Sequence, residues 1–188
     1  MNYSVIVTDQ GKSTEYQEIP SNQVLVTTTY VPDLSKAPAE ASSAVAPTPD
    51  GLLAIVRSNC VGCHAFKAKA TGPSFAAIAA HDPDHPATTD LLAKYIREGS
   101  TGLWGQVSMP PHPDLADEQA RAMAQWIEKD AANPNMNEYV GTEGAIRMEA
   151  PATPGPNAGL ILTASYTASS TDREPAPHGE ATVILHGK

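Results

Sequence analysis

The chain has two cysteines, and both lie in one five-residue run, Cys60-Val61-Gly62-Cys63-His64. This run constrains the chain more than any other feature. A Cys-x-x-Cys pair serves three chemistries. It forms a redox disulfide, with a following histidine tuning a thiol. It supplies half of a zinc site. Or it attaches a haem, when histidine follows directly. A zinc site lacks its second cysteine pair here, although scattered histidines could stand in. A thioredoxin-like site belongs at a helix start after a strand, whereas this run ends a helical pattern.

Haem attachment fits the spacing. Two thiols add across the two vinyl groups, and three residues of chain carry the second thiol to the other vinyl. The next residue, His64, then lies under the iron as an axial ligand. A sixth ligand is sought among Met1, Met109, Met123, Met136 and Met148. Met123 falls on an apolar helical stripe and reads as core. Met136 and Met148 fall in a loop-rich tail. Met109 sits in an irregular loop, Gly102-Leu103-Trp104-Gly105-Gln106-Val107-Ser108-Met109, stiffened by Pro110 and Pro111. His81, His85 and His112 are the rival ligands, and a second histidine would lower the potential that a thioether raises.

Seventeen prolines and thirteen glycines against two phenylalanines argue against one continuous core of 188 residues. They fit a compact centre with irregular flanks. The net charge of −9 falls equally on residues 1–49, 50–132 and 133–188. With no basic tract, a nucleic-acid partner is not expected. No apolar run reaches the roughly 20 residues of a membrane helix, so no membrane span is expected. The opening residues read as a strand rather than a secretory leader. The expectation is that a leader has been removed or that the chain is a piece of something longer.

Along the chain, residues 2–9 and 23–31 alternate and are β-branched, which predicts strands. A Pro/Ala/Ser linker covers 35–49. Thr48-Pro49-Asp50 predicts a capped helix start with proline in the first turn, before Leu52, Leu53, Ile55 and Val56. Thr88-Thr89-Asp90 starts a second helix that Gly99 ends. A third begins near Asp114–Asp117, carries Leu115, Ala120, Met123, Ala124 and Ile127, and stops at Asn133-Pro134. Residues 133–158 read as loop-rich, with a short strand at 145–148. Strands follow at Gly159–Thr167 and 181–186. The divisions are therefore 1–34 β strands, 35–49 linker, 50–132 helical domain, 133–158 loop-rich linker and 159–188 β segment. A His81-Asp82-Pro83-Asp84-His85-Pro86 loop has ligands for a divalent metal, but proline-rich turns collect such residues anyway.

Residues 51–130 resemble a small bacterial class I cytochrome c. The resemblance is carried by Cys60–His64, the Gly72-Pro73 pair, Trp104-Gly105, Met109-Pro110 and a last helix with Trp126-Ile127. It implies a mainly α chain: a helical fold around one covalent haem c, with the flanking strands forming a small sheet or incomplete sandwich. It implies His64 as proximal and Met109 as distal iron ligand. It implies that the Pro73 carbonyl accepts the other ring N–H of His64, that Trp104 lines the haem, and that the first and last helices cross. The flanks resemble, more loosely, strands of a PKD-like module and a β-tail of multidomain proteins that join a cytochrome to a sugar dehydrogenase. Two N-terminal strands cannot make a sandwich alone, so they are expected to pair with the C-terminal strands, within one chain or between chains.

The reading is then an electron carrier rather than an enzyme, serving a larger extracytoplasmic redox system. Its expected partners are redox proteins, such as a sugar-dehydrogenase domain or a terminal reductase, with self-association through the β strands. Lys67 and Lys69 are candidates to meet an acidic partner, or an ordinary solvated pair. The competing readings are a haem enzyme or gas sensor with a labile distal ligand, and an assembly module that aligns haems. Covalent haem attachment implies a periplasmic or extracellular location.

Overall fold

The structure is a computed structural model that describes residues 1–35, 47–80, 88–147, 155–168 and 178–186. The chain falls into two units, one formed by Met1–Thr48 with Asn135–Lys188 and the other by Pro49–Pro134. The His81–His85 loop and Met148 lie outside the described residues.

The Pro49–Pro134 unit is helical. Among the described residues it contains α1 (Asp50–Arg57), α2 (Phe75–Ala79), α3 (Thr89–Glu98) and α4 (Asp117–Lys129), with a 3-10 turn at Cys60–Gly62. In α1, Leu52, Ile55 and Val56 make one buried stripe, while Asp50 in the first turn and Arg57 in the last oppose the helix dipole. Pro49 itself occupies the cap position and gives no side-chain cap. The expected Thr48 cap is corrected: its hydroxyl bonds Ser165 instead. Asn59 stops the helix in a left-handed conformation (φ 57°), which a short polar side chain tolerates.

The second predicted helix, α3, has the expected ends. Thr88 Oγ1 accepts the Leu91 N–H at 3.4 Å, and Gly99 adopts φ 79°. The last helix starts at Asp117, where Asp117 and Glu118 stand in the first turn and Gln119 Oε1 accepts the Ala116 N–H at 3.2 Å. It ends at Lys129, several residues before Asn133-Pro134. At five residues, α2 is too short to show a periodic stripe; Ser74 Oγ caps it by accepting the Ala77 N–H at 3.1 Å.

Burial explains how few large side chains suffice. Leu52 and Met123 are wholly enclosed, with Ala120 and Ala124 beside them. The crossing of α1 and α4 is close enough that a Cβ on Gly51 would sit 2.0 Å from the Ala122 carbonyl oxygen. Only glycine fits there. Both phenylalanines of the chain, Phe66 and Phe75, pack on Trp126, with ring centroids 6.1 and 6.0 Å away in edge-on geometry.

The other unit is built from strands. A four-stranded antiparallel sheet has the order β5 (Met136–Val140), β4 (Val24–Val31), β7 (Gly159–Thr167), β8 (His178–His186). Beside it are the two-stranded pairs β1 (Asn2–Ser4) with β6 (Glu143–Ala145), and β2 (Thr8–Asp9) with β3 (Lys12–Ser13). In β4, a central strand, Val24, Leu25 and Val26 are all buried, so alternation is lost there. Thr29 lies opposite Met136, and the Tyr30 N–H donates to the Asn135 carbonyl at 2.8 Å. Topologically, β4 and β5 form a hairpin whose connection carries the whole helical unit.

Several expectations need correction. The chain as a whole is mixed α and β, not mainly α, because the β-branched flanks pair with one another across the sequence. Residues 2–9 are two strands, not one: Gln10 (φ 50°) and Gly11 (φ 81°) form a tight turn that pairs Thr8 with Ser13. Residues 133–158 hold β5 and β6 and are not simply a loop-rich linker. The short strand ends at Ala145; the next residue, Ile146, is buried and its N–H bonds the Met1 carbonyl at 2.7 Å. The N-terminal strands do pair with C-terminal ones within the chain, β4 matching β7 from Val24↔Tyr166 to Val31↔Gly159.

One face of β7 and β8 carries a polar cluster. Glu180 Oε1 accepts the Thr48 N–H at 2.8 Å and the Ser165 hydroxyl at 3.0 Å, with His178 Nε2 at 3.4 Å. Burial pushes the Glu180 carboxyl up, but these bonds and the histidine outweigh it and hold it below its ordinary value.

Candidate functional site

The Cys60–His64 run wraps into a tight turn after α1. The amides of Cys63 and His64 both bond the Cys60 carbonyl, at 3.1 and 3.0 Å. Both cysteines and His64 line an open cleft whose walls are largely apolar. The two thiols are not joined to each other, and Cys63 is exposed while Cys60 is half-buried. Burial pushes the Cys60 thiol up; a backbone hydrogen bond lowers it in part and the neighbouring Cys63 raises it.

The segment after the run is laced back to it. Gly72 N bonds Cys63 O at 2.8 Å, Phe75 N bonds Ala65 O at 3.0 Å and Ala76 N bonds Phe66 O at 3.0 Å. This lacing sets the Pro73 carbonyl 2.8 Å from His64 Nδ1. A carbonyl can only accept, so Nδ1 carries the proton and the Nε2 lone pair is left for a metal. Phe75 stacks on the imidazole, centroids 5.4 Å apart and planes 30° from parallel. A Cβ on Gly72 would lie 2.6 Å from His64 Cε1. Gly72 was legible as part of a motif; its contact with the ring was not, because nothing in its spacing marks a packing partner.

Met109 lines the same cleft, and its backbone is fastened in two directions. Ser100 N bonds Met109 O at 3.1 Å, and Met109 N bonds Ser100 O at 2.9 Å. Gly99 makes this approach feasible, since a Cβ there would come 2.6 Å from the Met109 carbonyl oxygen. His112 also lines the cleft, and its N–H bonds the carbonyls of Ile96 and Arg97 at 3.2 Å. Met123 is fully buried in α4, and Met136 lies in β5. The structure thus brings Cys60, Cys63, His64, Pro73, Trp104 and Met109 to one cleft. Trp104 remains 47 % exposed.

Tyr95, Leu92 and Ile78 line the cleft too; the sequence reading placed the first two on a helix without a site role and did not predict the short helix that carries Ile78. Lys67 also bonds within the chain. Its ammonium donates to the carbonyls of Ala131, at 2.8 Å, and Asn133, at 3.0 Å, just beyond the end of α4. It bonds carbonyls just beyond the helix end, where the dipole is negative, and both Lys67 and Lys69 are exposed. Among the described residues no group of three or more His, Cys, Asp or Glu could hold a metal ion.

A haem fits this cradle. The thiol pair, the oriented imidazole and a methionine with its backbone held line a cleft with largely apolar walls, and each donor suits iron or a vinyl group.

Comparison with known proteins agrees. Residues 48–127 match a family model described as cytochrome c oxidase, cbb3-type, subunit III. Cytochrome c-552 of Nitrosomonas europaea is 41% identical over 71 residues, which are 38% of this chain and 69% of that protein. Cytochrome c-551 of Ectopseudomonas mendocina is 40% identical over 68 residues, 36% of this chain and 82% of that protein. Among solved structures, wild-type Nitrosomonas europaea cytochrome c552 is 39% identical, covering 40% of this chain and 93% of that one, with a TM-score of 0.37. With relatives of this identity matched over more than two thirds of their length, the chain belongs to the small class I monohaem cytochromes c, the c-551 and c-552 electron carriers.

Proposed function

We propose that Cys60 and Cys63 hold one haem c through thioether bonds, that His64 Nε2 and Met109 Sδ are its iron ligands, and that the chain carries single electrons between redox proteins outside the cytoplasm. The observation that carries the reading is the His64 Nδ1–Pro73 O bond at 2.8 Å, in a cleft that Met109 also lines. When bound, the haem supplies a one-electron iron couple. The chain's own residues hold the ligands still. Pro73 and Phe75 fix the imidazole plane, and the Ser100–Met109 bonds with Gly99 fix the backbone that carries the thioether. Ligands held in both oxidation states leave little to rearrange when an electron moves. Thioether ligation places the potential above that of a two-histidine site.

Lys69 is exposed after the haem motif and is suited to an acidic partner, while the Lys67 ammonium is held by the carbonyls of Ala131 and Asn133. The location rests on kinship with c-type cytochromes and on covalent attachment. A sugar-oxidising domain or a terminal reductase is the kind of partner that the resemblance of the flanks suggests. No helix among the described residues is long and apolar enough to cross a membrane.

The test is a potentiometric titration of the haem-loaded chain, with carbon monoxide added to the reduced protein. A single one-electron wave and no prompt carbon monoxide binding are expected. Immediate and complete binding would give the site to a haem enzyme or gas sensor.

A further inference from the structure

Among the described residues the outer edge of β8 has no partner strand: β8 pairs only with β7, along nine residues, His178–His186. Edge strands are ordinarily protected by a lysine, a proline, a bulge or short length. This one has no Lys, Arg or Pro between 178 and 186, and its pairing with β7 runs unbroken from Gly159↔His186 to Thr167↔His178. Glu180 is exposed although its side chain is only 22% accessible, so much of what it exposes is backbone. Alternation puts Ala181, Val183 and Leu185 on one face, and Val183 is 56 % exposed.

We propose that β8 is a self-association strand, pairing antiparallel with β8 of a second copy so that Val183 faces its own symmetry mate. Charge fixes both the occupant and the register. The ionisable side chains of the strand are Glu180, His178 and His186. With Val183 at the two-fold axis, Glu180 of each copy lies opposite His186 of the other; Oε1 is taken by Thr48, Ser165 and His178, so Oε2 makes the acid–imidazole pair, once in each direction. Ala181 then lies opposite Leu185, and Thr182 opposite Ile184, each pair on a shared face. A register centred on Thr182 instead sets His178 against His186 and Glu180 against Ile184, losing both pairs. The two-fold arrangement joins two four-stranded sheets into one of eight strands and uses no residue that lines the haem cleft, so it does not rest on the assignment of the iron ligands.

The test uses the full, haem-loaded chain in sedimentation equilibrium. Wild type is expected as a dimer that dissociates on dilution. Val183→Lys is expected to be a monomer at the same concentrations, with an unchanged visible spectrum and far-ultraviolet circular dichroism showing that it has folded. Under mild oxidation, Val183→Cys is expected to form a covalent dimer much faster than Ile6→Cys, a control at an equally exposed residue (60%). A wild type that stays monomeric at every concentration, a Val183→Lys variant that still dimerises, or equal cross-linking at the two cysteines would overturn the proposal.

Discussion

The helical unit and the sheet unit are held together by contacts of opposite reach. Around His64 the bonds are local: Cys60 to His64, Cys63 to Gly72, Ala65 to Phe75. In the sheet, β4 meets β7 from Val24↔Tyr166 to Val31↔Gly159, and Met1 bonds Ile146 at 2.7 Å. The first kind of contact costs little chain entropy to form; the second closes loops of more than a hundred residues. The helical unit also draws on a prosthetic group for apolar surface, whereas the sheet relies on Val24, Leu25, Val26 and Leu160.

The sharpest way to break the comparison is to hollow out each unit in turn. Leu52→Ala and Leu25→Ala each delete a fully buried side chain and should each cost about 2–5 kcal/mol. Denaturant unfolding followed at the haem band should register the first, and amide exchange of β4 the second. A smaller effect is expected where packing is tightest. Gly51→Ala forces a methyl onto the Ala122 carbonyl and should cost about 1–3 kcal/mol by overpacking, read from the same haem-band midpoint.

How much was legible in the sequence follows the same division. The Cys60–His64 run, the Thr88 cap, Gly99 and the stripe through Ala120, Met123, Ala124 and Ile127 are local signals, and each has its structural counterpart. The strands β4 and β7 were legible from their β-branched content. What stayed hidden was partnership: that β5 lies in a stretch rich in loop residues, that Thr48 turns to Ser165 and Glu180 rather than capping α1, and that Lys67 reaches the end of α4. Each of these depends on a residue far away in sequence, and periodicity carries no information about it.

Lys67→Met sharpens that point with a smaller loss, about 1 kcal/mol after allowing for solvent exposure. It should appear as faster amide exchange over 126–133 rather than as a change in ligation. The smallest effect is a pH dependence. Glu180 has its folded value lowered, so its contribution is fully present above the ordinary carboxylate range. It is lost as pH falls through that range toward the folded value. Glu180→Gln should flatten the acid limb of the stability profile of the sheet, measured by thermal melts from neutral to acid pH.

The measurement that bears most directly on the central claim is the visible spectrum of the oxidised chain, wild type against Met109→Ala. The weak long-wavelength band that reports iron–thioether bonding should be present in wild type and absent from the variant, while the haem stays bound to the chain after denaturation. A wild-type spectrum without that band, or a band that survives Met109→Ala, would contradict the assignment of His64 and Met109 as the iron's two ligands.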